Sequence, residues 1–195
     1  MTRAERDKWD DRYRSGAYEG RTHPTALLAE WAARLPAGKA LDVACGAGRN
    51  ALYLAAAGFD VDAIDISSVA LERARRSADE RGLAVRWLAV DLDEDADRRL
   101  PNGPYDAIVW VRYVNRQLMP SLLRRLRAGG YLLCEQHLTT TIEVVGPKSP
   151  EFRVEAGELR ASAVALDVLF YREGLVTDPD GRTAALAQLV ARMPD

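Results

Sequence analysis

The stretch Leu41-Asp-Val-Ala-Cys-Gly-Ala-Gly-Arg49 constrains this chain more than any other. An apolar run carrying one acidic residue, Asp42, meets a turn with Gly46 and Gly48, then opens into a helix-forming segment. Strand, tight loop and helix N-terminus in that order are the means by which open α/β sheets bring backbone N–H groups close to a nucleotide-like ligand. Phe59-Asp-Val-Asp-Ala-Ile-Asp65-Ile66 reads as the next strand and ends in a carboxylate. At the tip of a neighbouring strand such a group can accept hydrogen bonds from both hydroxyls of a ribose.

A length of 195 residues fits a single domain with a core of its own. The composition, 48% hydrophobic and 29% charged, is that of an ordinary globular protein. A formal charge of −2 argues against a dedicated nucleic-acid binder. Cys45 and Cys134 make no disulfide framework, and no Cys/His cluster has metal spacing. The charged N-terminus lacks a signal core, and no apolar run reaches the length of a membrane span, so the expected location is cytoplasmic.

Strands and helices alternate along the chain. Residues 1–23 form a polar arm with interleaved aromatics, Trp9, Tyr13 and Tyr18. Pro24 can open a helix whose apolar stripe is Leu27, Leu28, Trp31 and Leu35. Strands are expected at Ala40–Cys45, Phe59–Ile66, Val85–Val90, Tyr105–Val111 and Tyr131–Glu135, with helices over Arg49–Ala57, from Ser67 or Ser68 to Arg81, and over Leu118–Leu126. Asp91–Arg99 reads as an acidic loop and Gln136–Gly157 as an irregular insertion. Val164–Tyr171 and Thr183–Arg192, joined through the turn Asp178-Pro-Asp-Gly181, leave no room for a crossover helix and read as an antiparallel hairpin at the sheet edge.

Asp42-Val-Ala-Cys-Gly-Ala-Gly-Arg-Asn50, Asp65-Ile-Ser67, Val90-Asp91-Leu92, Leu126-Arg-Ala-Gly-Gly-Tyr-Leu-Leu133, Arg21-Thr-His23 and Gly157-Glu-Leu159 fall in order along the chain. In these pieces, and in five β/α units closed by a hairpin, the chain resembles the class I S-adenosylmethionine-dependent methyltransferases, and within them the tellurite-resistance (TehB-like) branch. The resemblance implies an α/β, Rossmann-like fold: a seven-stranded, mostly parallel sheet with helices on both faces and a C-terminal antiparallel hairpin. It also implies a division of one domain into an arm or lid (1–23), a cofactor-binding core (39–135), an acceptor-side insertion (136–157) and the hairpin (164–192).

The resemblance implies a role for each site residue as well. Asp42 would face the ammonium of the cofactor's methionine, and Ala44, Cys45, Gly46, Gly48 and Asn50 would form the loop beneath it. Asp65 would take the ribose hydroxyls, Ile66 the adenine face, and Asp91 with the Leu92 backbone the adenine amino group. Arg21 or His23 would meet the methionine carboxylate, and Val111 would border the methyl group. Arg112, Tyr113 and Arg116 are the candidates for acceptor contacts, since an arginine fork suits an oxyanion or carboxylate. His137 is the one plausible imidazole base, Cys45 reads as a packing residue, and no metal is expected.

The acceptor is expected to be a small molecule, soft or anionic: a thiol, selenite, tellurite or similar. The tellurite-resistance branch carries a His-Arg pair where this chain has Leu175-Val176-Thr177, which leaves the acceptor open. Two other classes remain. Gly46-Ala-Gly48-Arg-Asn-Ala51 also fits the dinucleotide fingerprint of an NAD(P)-dependent oxidoreductase, although Asp42 and the hairpin speak against it. A cofactor-binding module without turnover would share every motif.

Overall fold

The computed structural model describes residues 3–93 and 96–195. The strands are β1 (Lys39–Val43), β2 (Asp60–Asp65), β3 (Arg86–Ala89), β4 (Tyr105–Val111), β5 (Leu126–His137), β6 (Asp167–Thr177) and β7 (Thr183–Arg192). The helices are α1 (Arg3–Arg14), α2 (Ala26–Trp31), α3 (Arg49–Ala56), α4 (Ser68–Glu80), α5 (Ala96–Arg99), α6 (Met119–Leu123) and α7 (Glu158–Ser162). All strands join one seven-stranded sheet in the order β3-β2-β1-β4-β5-β7-β6. Strands β1 to β5 pair in parallel, while β7 runs antiparallel to both β5 and β6. The fold is the Rossmann-like class I arrangement.

Side-chain alternation explains why both faces are covered. Ala40, Ala63 and Val109 point to one face and pack under α2, α3 and α4 through Leu28, Leu54 and Leu71. Leu41, Ile64 and Ile108 point to the other and meet Leu122 of α6 and Leu159 of α7. A strand buried on both sides carries a continuous apolar run, and β4 is buried from Tyr105 to Trp110. The chain moves outward from β1 to β3 and returns on the other side of β1 as β4. That reversal opens a crevice at the carboxyl ends of β1 and β4, where open α/β sheets bind ligands.

Several boundaries differ from the sequence reading. The polar arm contains α1, which docks through polar contacts and so shows no apolar stripe. Pro24 precedes the cap residue Thr25 instead of opening α2. The acidic loop contains α5; Glu94 and Asp95 lie outside the described residues. Strand β5 starts at Leu126, because Gly129-Gly130 lies inside it at a register shift opposite Tyr105 and Ala107. A Cβ on Gly130 would sit 2.9 Å from the Arg127 carbonyl and 3.0 Å from that of Tyr105, so only glycine allows this close backbone approach. Strand β6 begins at Asp167, not Val164, and runs on to Thr177. It is the edge strand, half-buried and interrupted by Arg172 and Glu173, so its apolar pattern is weak.

Candidate active site

The glycine loop is pinned from both sides. The Cys45 N–H donates to the Ile64 carbonyl at 2.9 Å and that of Gly48 to the Cys45 carbonyl at 3.0 Å. Ala44, Gly46 and Gly48 all take positive φ, 55°, 55° and 80°. Ala44 at the exit of β1 and Arg112 (φ 58°) at the exit of β4 are left-handed without being glycine. Strain of that kind collects at functional sites, and both residues border the crevice.

Asp65 locks this loop to the next strand. Its Oδ2 accepts the Gly46 N–H at 2.8 Å and its Oδ1 the Ser67 N–H at 2.9 Å. Burial raises its pKa, and the backbone N–H groups of Ser67, Gly46 and Ile66 oppose that rise. A carboxylate offers about four acceptor positions, so these backbone donors leave capacity on the side that faces the cavity.

A cavity of about 500 Å³ fills the crevice, within the range of small-ligand sites. Its floor passes from Ile66 and Leu92, past Ala44, Cys45, Gly46 and Asn50, to Val111, Arg112 and His137. Trp9, Tyr13, Tyr18 and Arg21 roof it from the N-terminal arm, and Val145, Pro147 and Phe152 from the insertion. The arm is held by polar bonds to α4. Asp10 accepts from the hydroxyls of Ser67 (2.6 Å) and Ser68 (3.3 Å) and from the Val69 N–H (3.2 Å). Arg73 donates to the carbonyls of Ala17 (3.1 Å) and Tyr13 (2.5 Å). A Cβ on Gly46 would overlap the Tyr13 hydroxyl, so the arm reaches down to the loop itself.

Four of the expected contact residues do not line the cavity. Asp42 sits beneath the loop at 1% exposure and accepts the Ala51 N–H at 2.9 Å, holding the first turn of α3. Burial pushes its pKa up to about 7. Gly48 is behind the loop, where a Cβ would lie 2.6 Å from the Trp87 ring. Asp91 is buried and accepts the Asp93 N–H at 3.0 Å, shaping the turn after β3. His23 is exposed and does not line the cavity. Asn50 does line it, and its Oδ1 also accepts the Thr25 N–H at 2.9 Å. Burial pushes the Cys45 thiol up, as befits a packing residue.

The acceptor side requires larger corrections. Arg112 has no free fork: its Nη atoms donate to both oxygens of Asp178 at 2.7 and 2.8 Å, and its Nε to Glu135 at 2.8 Å. Arg116 points away and ties the insertion to α7 through the Arg153 carbonyl (2.9 Å) and Glu158 (2.7 Å). His137 lines the cavity, but burial, with Arg112, Arg153 and Arg21 nearby, lowers its pKa to about 3. Its Nδ1 is buried without a hydrogen-bond partner, as is the Nε of Arg21. A base that weak does not remove a proton from a hydroxyl at neutral pH.

Three cavity arginines were missed in the sequence, Arg12 of the roof, which stacks over Trp9 and Tyr18, and two deeper in the crevice. The Arg49 side chain makes no hydrogen bond or ion pair among the described residues and faces the cavity from the start of α3; burial, with Arg112 next to it, lowers its pKa. Arg182 enters from the β6–β7 turn. That turn had to lie at the crevice edge, because a strand antiparallel to β5 starts where β5 ends. Among the described residues no group of three or more His, Cys, Asp or Glu could hold a metal ion, and no helix is long and apolar enough to cross a membrane.

Residues 40–130 match the methyltransferase domain family. Hemagglutinin 1 of Eikenella corrodens is 28% identical over 166 residues, covering 80% of this chain and 55% of that protein. A Haemophilus influenzae protein named probable S-adenosyl-L-methionine-dependent methyltransferase TehB is 25% identical over 164 residues, 79% of this chain and 57% of its own. The chain thus spans a little over half the length of the curated relatives it matches. The crystal structure of TehB from Haemophilus influenzae aligns with a TM-score of 0.76 at 24% identity, covering 94% of this chain and 67% of the other, a likeness of fold.

Proposed function

We propose that this chain, which has the class I methyltransferase fold and carries a TehB-like methyltransferase domain, transfers the methyl group of S-adenosylmethionine to a small soft or anionic acceptor. The carrying observation is the crevice at the exits of β1 and β4, with the backbone of Gly46 and the Asp65 carboxylate side by side on its floor. The residues suit the cofactor. Asp65 retains acceptor capacity for ribose hydroxyls, and Ile66 and Leu92 offer apolar surface for an adenine. Arg21 lines the cavity as a cation whose buried Nε makes no hydrogen bond and lies 3.6 Å from Asp180, and its charge suits a carboxylate.

When bound, S-adenosylmethionine supplies a sulfonium-activated methyl, so the chain's task is to align the acceptor and exclude water. The arm, described from residue 3 to 23, and the insertion (136–157) serve as the roof that does this. Asp42 stabilises the loop from beneath and acts on the methionine end only through α3. Arg49 and Arg182 draw an anionic acceptor to the β4 side. His137 stays neutral and offers a hydrogen bond; the acceptor therefore has to arrive deprotonated, as thiolates, oxyanions and carboxylates do. A labelled-methyl screen over thiols, selenite, tellurite and carboxylates tests this. Transfer to one of these is expected, and transfer confined to neutral alcohols would contradict it.

A further inference from the structure

Arg112 occupies an unusual place for an arginine that touches no solvent-facing partner. Its backbone is left-handed at the end of β4, and its side chain is 8% exposed. The Glu135 that accepts from it also accepts from Gln188 at 2.7 Å, and Gln188 accepts from Arg172 at 2.9 Å. One polar chain therefore runs from the end of β4 through β5 to the middle of β7 and β6. Buried ion pairs are poor sources of net stability, and their best-attested use is to fix one arrangement among several.

What this chain fixes is the turn after β6. Asp178 takes both prongs of the Arg112 fork. Two residues on, Asp180 lies 3.6 Å from Arg21 of the N-terminal arm, and the two side chains are only 20% and 16% exposed. Arg21 in turn stacks over Tyr18 at 5.3 Å, within the roof of the cavity. We propose that Arg112 is a positioning residue: it holds the β6–β7 turn so that Asp180 latches Arg21, and with it the arm, over the cavity. The latch rests on reading that cavity as the cofactor cleft. It assigns the turn to closing the site and gives the Arg112 guanidinium no contact with the acceptor.

The test is release of S-adenosylhomocysteine from preloaded protein, followed by stopped-flow tryptophan fluorescence, in wild type, Asp180→Asn, Arg21→Gln, their double variant and Arg112→Lys. Asp180→Asn is expected to speed release about three- to tenfold, the range of a partly shielded ion pair. The double variant should release no faster than Arg21→Gln alone, and rising salt should speed release from wild type more than from Asp180→Asn. Arg112→Lys should follow Asp180→Asn. Release from Asp180→Asn at the wild-type rate, or multiplying effects in the double variant, would overturn the latch. If wild type binds no S-adenosylhomocysteine, the cofactor reading falls, and trypsin cleavage after Arg14 becomes the readout: faster in Asp180→Asn with a latch, unchanged without one.

Discussion

The Oδ2 atom of Asp42 accepts the backbone N–H of Ala51 at 2.9 Å, joining the end of β1 to the first turn of α3 beneath the glycine loop. Buried at 1% exposure, this carboxyl holds its proton up to about pH 7, whereas in an unfolded chain it would lose it near 4. Folding takes up a proton between those values, so stability falls as pH rises through that window, by up to about 1.4 kcal/mol per pH unit. Asp42→Asn keeps an acceptor for Ala51 and removes the titration. In thermal melts the variant should gain on wild type steadily from pH 4 to 7. Parallel curves would mean that Asp42 is ionised and paired in the folded protein.

His137 titrates in the opposite sense. Its pKa of about 3 in the folded state lies below the ordinary 6.5, so folding is opposed by protonation as pH falls from 6.5 towards 3. His137→Asn should flatten the loss of stability over that acid range. Methyl transfer by wild type should show no inflection from the imidazole between pH 5 and 9. A limb near 6.5 that disappears in the variant would restore His137 as a general base.

Gly46 has no room for a side chain beneath the Tyr13 hydroxyl, and its φ of 55° is left-handed. Gly46→Ala should therefore weaken S-adenosylhomocysteine binding, both through backbone strain of about 1–2 kcal/mol and by lifting the arm. Tyr13→Phe in the same chain removes the colliding oxygen and should recover part of the affinity. No recovery in calorimetric titration would show that the arm does not rest on the loop when ligand is bound.

Much of this architecture was legible because its causes are local. β4 is buried on both faces and reads as a nearly continuous apolar run, and Asp178-Pro-Asp-Gly181 announces a hairpin. The helix α1 was not legible: what holds it is Asp10 on Ser67 and Arg73 on Tyr13, contacts across more than fifty residues. Arg112 shows the same limit at the site. Its position at the exit of β4 followed from the sequence, but its partner Asp178 stands 66 residues away, and that partner turns an acceptor ligand into a strut. Asp42 stayed in place while its contact changed, because a strand-end carboxylate can meet a ligand or the next helix from the same position.

The most direct measurement is an isothermal titration of wild type and Asp65→Asn with S-adenosylhomocysteine. One site per chain is expected in wild type, with affinity about 10- to 100-fold lower in the variant, because an amide replaces one of the two oxygens that accept from Gly46 and Ser67 and face the cavity. No binding by wild type, or equal affinity in both proteins, would contradict the placement of the cofactor in this crevice.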